Sequence, residues 1–223
     1  MNCITVDTAT MAWDYWFDTL RLQNIQQPSR DGNVAGEIIN AVTVITDPRQ
    51  GFVKSKERDL SIKYAIGELL WYLSGSNKLE DISPYSSAWK NLSDDGNTVN
   101  SAYGYRIFNK FGFNQWEHVA KLLQKDPLSR QAIIHIKEPS NAPTKDLPCT
   151  ICIQYLIRDN KLHSTVYMRS NDIWLGFPYD VFNFTSLQVL MAMELGVPVG
   201  EYTHIAGSLH LYERNVKNVQ SAD

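Results

Sequence analysis

Residues 150 to 168, TICIQYLIRDNKLHSTVYM, hold two runs rich in β-branched and aromatic residues on either side of Arg158-Asp-Asn-Lys161. A turn-rich tetrapeptide between such runs predicts a β-hairpin in the middle of the chain. Around it, apolar residues recur at helical spacing: Trp13, Trp16, Phe17 and Leu20, then Ile62, Ala65, Ile66, Leu69, Leu70 and Leu73 before Gly75. Both runs are expected to be core-facing helices. A third helix is expected around Trp116, Val119, Leu122 and Leu123, and a fourth over 184 to 195, closed by Gly196. Further strands are expected over 38 to 46, 132 to 136 and 202 to 212. A mixed order of helices and strands with a central hairpin predicts an α+β fold, a mixed sheet packed by helices, rather than a regular β-α-β winding. The remaining loops, 46 to 58, 76 to 102 and 138 to 148, are expected to wall a site.

At 223 residues with 43% hydrophobic content, the chain is expected to form one domain over residues 1 to 223. Its 21 basic and 24 acidic residues are well mixed, so no general nucleic-acid or membrane surface is expected. An anionic ligand must therefore meet a local cluster of arginines. There is no apolar run of about 18 residues to span a bilayer, and MNCITVDTAT lacks the regions of a signal peptide, so the expected location is cytoplasmic. Three cysteines fit reduced thiols better than a disulfide framework.

Two of those cysteines, in PCTICIQYL at 148 to 156, spell a CxxC. A structural zinc site needs four ligands, but the other cysteine is Cys3 and no second histidine pair exists. A redox pair sits at a helix start, whereas this one runs into a strand, where residues three apart point to opposite faces. What remains is one reactive thiol with an idle neighbour, or two inert core cysteines.

The stretch CTICIQYLIRDNKLHSTVYMRSNDIWLGFPYDVFNFTSL, followed by HIAGSLHLYERN, resembles the catalytic core of the thymidylate synthase family. The shared features are a cysteine after a proline, a Gln-containing strand, Arg-Ser-x-Asp, Leu-Gly-x-Pro with an amide or acid two residues on, and Gly-x-x-His-x-Tyr. The likeness extends to GELLWYLSG at 67 to 75, Trp89, Tyr103-Gly104 and DPLSR at 126 to 130, covering about residues 13 to 214.

The resemblance implies an α+β single domain, a homodimer with a sheet face at its interface, and 5,10-methylenetetrahydrofolate as cosubstrate. It implies that Cys149 adds to pyrimidine C6, with Arg169 helping to form the thiolate. The phosphate of a pyrimidine nucleoside monophosphate would be held by Arg30, Arg169 and Ser170 with Arg130 from the other subunit, guanidinium forks suiting phosphate. Glu68 is, on the sequence alone, either an exposed position on an amphipathic helix or a buried working carboxylate. By resemblance it is the acid-base group, with Tyr103 assisting at C5. His210 and Tyr212, on one side of a strand, would meet the sugar 3′-hydroxyl, and Trp89, Asp172, Leu175 and Gly176 would line the folate site.

The chain departs from synthases at several of these positions. They carry asparagine where this chain has Asp180, and that amide donates to uracil O4 while accepting from N3–H. Asp180 instead accepts from the exocyclic amine of cytosine, and a proton shared with N3 would help the ring carry charge. Thr150, Met168 and GSLHLY also differ, and together these departures resemble the deoxycytidylate hydroxymethylases of bacteriophages. In those enzymes water adds to the transferred carbon, and polarity at Thr150 and Asp180 would help to order it. Gln131 stands where the family has a second arginine, and the family segment that closes over folate is expected to be missing beyond Asp223. The reading is thus dCMP hydroxymethylation. Its alternatives are CMP hydroxymethylation, methylation of dUMP or dCMP, and an idle nucleotide-binding homologue.

Overall fold

A computed structural model describes residues 2–220 apart from 24, 26, 30, 31 and 141, with no side-chain description for 217–220. In chain order the elements are β1 (Cys3–Val6), α1 (Ala9–Gln23), β2 (Gln27–Ser29), β3 (Gly32–Ile45), α2 (Ile62–Ser74), α3 (Leu79–Ile82), α4 (Trp89–Leu92), α5 (Tyr103–Phe108) and α6 (Gln115–Lys125). There follow β4 (Ile133–His135), β5 (Thr150–Arg158), β6 (Lys161–Met168), β7 (Asn171–Asp172), α7 (Phe177–Leu195), β8 (Val199–Tyr212) and α8 (Glu213–Gln220). The strands form one mixed sheet in the order β1-β3-β8-β6-β5-β4, with β2 beside β3 and β7 beside β8. This is the expected α+β arrangement. The β5–β6 hairpin turns through Asp159 (φ 51°) and Asn160 (φ 58°), left-handed conformations that these short polar residues tolerate and that suit a two-residue hairpin.

Helices α1 and α7 cover one face of the sheet. Trp13, Trp16, Phe17 and Leu20 of α1 are no more than 2% exposed. Both indole N–H groups are satisfied as they enter the core, Trp13 on Ile173 O (2.8 Å) and Trp16 on Thr43 Oγ1 (2.7 Å). On β5 the buried apolar residues are Ile153, Tyr155 and Ile157, the alternation of a half-covered strand.

Helix α2 corrects one expectation. Its aliphatic stripe, Ile62, Ile66, Leu70 and Leu73, is 41 to 61% exposed, and the inward face carries Ala65, Glu68, Trp71 and Tyr72. Both stripes have helical spacing, but the inner one buries larger aromatic surface and presents Glu68 to partners that satisfy it. Close approach by α5 reinforces this rotation: a Cβ at Gly104 would lie 2.0 Å from Tyr72 O, so only glycine fits there. Helix α7 begins at Phe177, well before the expected 184, because Pro178 suits a first turn while Asp180 and Asn183 interrupt the apolar pattern. The stretch 76 to 102 is not wholly loop, since it contains α3 and α4.

Candidate active site

A cavity of about 800 Å³ opens between α2, α4, α5, the adjoining ends of β5 and β6, β7 and the first turn of α7. Its wall holds Cys149, Glu68, Tyr103 and Asp180, then Arg169, Ser170, His210 and Tyr212, then Trp89, Asp172, Leu175 and Gly176. The chain thus brings these residues, up to 144 positions apart, to one concave surface. Arg30 lies outside the described residues. Arg130 is exposed and away from the wall, and its carbonyl accepts from Gln154 Nε2 (3.0 Å) on the uncovered sheet face.

Cys149 immediately precedes β5, where the pairing register with β6 shifts between Thr150 and Cys152. Cys149 reaches the cavity, while Cys152 pairs with Tyr167 and His135 on the uncovered face, so the CxxC sulfurs serve different surfaces. Burial pushes the Cys152 thiol up, away from thiolate chemistry. The loop leading to Cys149 is pinned at both sides. Asp94 accepts from Thr144 Oγ1 (2.6 Å) and Lys145 N (2.9 Å), and Asp146 Oδ2 accepts from Ser101 N (3.1 Å). Just after β6, Arg169 donates to Leu147 O (3.0 Å) and Pro148 O (3.2 Å), and its backbone N–H to Cys149 O (2.8 Å). Its cationic head thus sits on the chain entering Cys149. Thr150, by contrast, is fully buried and not on the wall, so of the two positions expected to order water only Asp180 faces the cavity.

Glu68 is 6% exposed, which rules out the amphipathic-surface alternative. Its Oε1 accepts from Tyr64 Oη (2.8 Å) and its Oε2 from Asn183 Nδ2 (2.8 Å), while Tyr64 Oη accepts from Trp89 Nε1 (3.1 Å). Burial outweighs these two donors and pushes the Glu68 carboxyl up to about 7. Asp180 lines the cavity and is half-buried. Its carboxyl is pushed up to about 8, first by burial and then by the nearby Glu68 charge, against the lowering effect of Asn171 Nδ2 on its Oδ2 (2.8 Å). Two carboxyls in one cavity therefore change protonation near neutrality, a property suited to proton transfer. A carboxyl raised in this way can donate as well as accept, as the sequence-based expectation of a proton shared with N3 requires. Tyr103 Oη accepts from Thr150 N (3.3 Å), and burial keeps the phenol protonated. Asp172 Oδ1 accepts from Trp174 N (2.8 Å) and Leu175 N (3.2 Å), fixing the turn into α7.

Sequence reading passed over Tyr64, Asn171 and Asn183. Tyr64 stands four residues before Glu68 on one helix face, and Asn183 three after Asp180, so helical spacing from each carboxyl would have flagged both.

Residues 16–222 match the family model described as "Thymidylate synthase". The chain is 34% identical over 172 residues to a deoxyuridylate hydroxymethyltransferase of Bacillus phage SP01, covering 70% of this chain and 45% of that protein. It thus spans under half the length of that relative. It is 31% identical to a thymidylate synthase of Bacillus atrophaeus over 73% of this chain and 76% of that one. Among solved structures, the thermostable thymidylate synthase A from Bacillus subtilis superposes with a TM-score of 0.79 at 24% identity, covering 95% of this chain and 82% of that one. The thymidylate synthase from T4 phage gives 0.78 at 21% identity, with 95% and 79% covered. These two establish the shared fold. Among the described residues no helix is long and apolar enough to cross a membrane. By the extent of the model match and the likeness of its relatives, the chain belongs to the thymidylate synthase family.

Proposed function

We propose that this protein converts dCMP to 5-hydroxymethyl-dCMP with 5,10-methylenetetrahydrofolate, acting as a homodimer. Pyrimidine C5 is a poor nucleophile until a thiolate adds at C6. Cys149 supplies that thiolate, and the charge it places in the ring makes C5 reactive. The folate supplies a one-carbon unit. Glu68, poised between the two states of a carboxyl near pH 7 and assisted by the Tyr103 hydroxyl, takes the C5 proton away. The electron pair this releases expels tetrahydrofolate from the transferred carbon, leaving an exocyclic methylene on C5. A water then adds to the exocyclic carbon, and departure of the Cys149 sulfur from C6 restores the ring and frees the thiol.

The observation that carries the reading is Asp180: a half-buried carboxyl on the cavity wall, held by Asn171 Nδ2, whose burial and neighbouring Glu68 charge favour its protonated form at neutral pH. Cytosine has an unprotonated N3 and an N4 amine on one edge. A protonated carboxyl shares its proton with N3 while its other oxygen accepts from N4–H. Arg30, Arg169, Ser170 and the partner's Arg130 are the proposed phosphate ligands, and His210 and Tyr212 the proposed sugar contacts. The uncovered sheet face beside Arg130 is the proposed dimer interface. A cavity of about 800 Å³ has room for a nucleotide and a pterin side by side, and Trp89, Leu175 and Gly176 offer the pterin a flat apolar wall.

A second reading, hydroxymethyl transfer to dUMP, is favoured by the name of the phage SP01 relative. Incubation with methylenetetrahydrofolate and dCMP, CMP or dUMP, following release of the C5 hydrogen and product mass, separates the readings. Turnover of dCMP to a product heavier by one hydroxymethyl group is expected, and preference for dUMP would overturn the assignment.

A further inference from the structure

Behind Asp180 lies a buried polar chain that the reaction as described does not use. Asn171 Nδ2 donates to Asp180 Oδ2 (2.8 Å), Asn171 Oδ1 meets His204 Nε2 (3.0 Å), and His204 Nδ1 meets Tyr202 Oη (2.8 Å). Asn171, His204 and Tyr202 are 3%, 1% and fully buried, so none of these groups can turn to water for a partner.

The hydrogens in the chain follow from its ends. Burial holds His204 neutral, so one ring nitrogen donates and the other accepts. The buried Tyr202 hydroxyl has His204 Nδ1 as its hydrogen-bond partner among the described residues, so it donates there and Nδ1 accepts. Neutral His204 then carries its hydrogen on Nε2, which needs an acceptor and so selects the Asn171 orientation with Oδ1 toward it. With Asn171 Oδ1 occupied, only the N–H side of that amide faces Asp180.

The alternative orientation matters chemically. If the Asn171 amide were free to flip, its oxygen would take the proton of the Asp180 carboxyl, leaving a ligand only an acceptor and no acid proton. We propose that Tyr202, His204 and Asn171 are positioning residues that keep an N–H, never a C=O, on Asp180, so that the acid proton of Asp180 points into the cavity for the pyrimidine. The idea rests on the reading of Asp180 as the base-recognising group, and it extends that group's machinery to three residues outside it. Two further features fit. A Cβ at Gly176 would lie 2.9 Å from Asn171 Nδ2 and 3.1 Å from Asp180 Oδ2, so glycine leaves room for that bond. Phe177 packs edge-on against the His204 ring (centroids 5.2 Å), holding it in plane for both partners. The other ionisable groups acting on Asp180 are Glu68 of α2 and Asp172 of β7. Tyr103 of α5, Tyr64 and Tyr72 of α2 and Tyr202 of β8 face the same carboxyl.

The test uses His204→Phe, which keeps an aromatic ring but removes both nitrogens, and His204→Gln, whose amide can again donate to Asn171 and accept from Tyr202. In the free protein, infrared difference spectra identify the acid carbonyl band of Asp180 as the one lost in Asp180→Asn. That band is expected to shift in His204→Phe and return in His204→Gln, while C5-hydrogen release from dCMP falls about tenfold or more and recovers in the same order. A band unmoved in both variants, or absent in the parent protein near pH 6, would overturn the proposal whichever base is the substrate. A band that responds in a protein that turns over only dUMP would leave the chain standing and remove the dCMP reading instead.

Discussion

Replacing Asp180 by asparagine should make the protein more stable, and by an amount that depends on pH in a defined way. An aspartate in the unfolded chain titrates near 3.8, whereas burial and the Glu68 charge raise the folded carboxyl to about 8. Between these values the folded state holds a proton that the unfolded state releases, so stability is fully present below pH 4 and lost as pH rises toward 8. At 1.36 kcal/mol per pH unit, the interval from 3.8 to 7 sets an upper limit of about 4 kcal/mol at pH 7, because the Glu68 charge that adds to the rise is itself lost below pH 7. Asparagine does not ionise, and its amide oxygen can still accept from Asn171. The gap between variant and parent should therefore be near zero at pH 4, grow through pH 5 to 7 and level off above pH 8. For a chain of this size, about 4 kcal/mol corresponds to roughly 10 °C in Tm. Denaturant unfolding of both proteins from pH 4 to 8.5 measures it. A gap constant across that range, or a less stable variant at pH 7, would refute the placement of a protonated carboxyl in the cavity. The expected gain in stability with loss of dCMP turnover is the pattern of a group kept for function.

Glu68→Gln should lower turnover by about 10²- to 10⁴-fold and remove the inflection near pH 7 from the pH–rate profile, as measured by C5-hydrogen release. Cys149→Ser should abolish that release and any mass adduct with the nucleotide while leaving the unfolding curve within about 0.5 kcal/mol of the parent. If Arg130 completes the partner's site, Arg130→Ala and Cys149→Ser proteins, each inactive alone, should regain about a quarter of parental activity when refolded together, since half the dimers are mixed and each has one intact site. No recovery on mixing would place Arg130 outside the site.

The hairpin and the main helices were legible because β-branched runs, turn residues and apolar spacing are local signals. The orientation of α2 was not, since two stripes share its periodicity and the choice depends on α5 approaching through Gly104 and on partners for Glu68. The start of α7 was hidden because Asp180 and Asn183 are placed for the cavity rather than for an apolar face. Cys149, Glu68, Arg169, Ser170 and Asp172 were readable as motifs. The chain through His204 and Tyr202 was not, because a histidine and a tyrosine two apart on a buried strand look like core until the partner of each nitrogen is known.

The most direct test of the account is competition between dCMP and dUMP for the parent protein and Asp180→Asn, with methylenetetrahydrofolate present and products identified by mass. The account expects the parent to form 5-hydroxymethyl-dCMP in preference and the variant to move toward dUMP by about tenfold or more, since a matched donor–acceptor pair is worth about 1–3 kcal/mol of base discrimination. A parent that prefers dUMP, or a variant whose preference does not change, would contradict it.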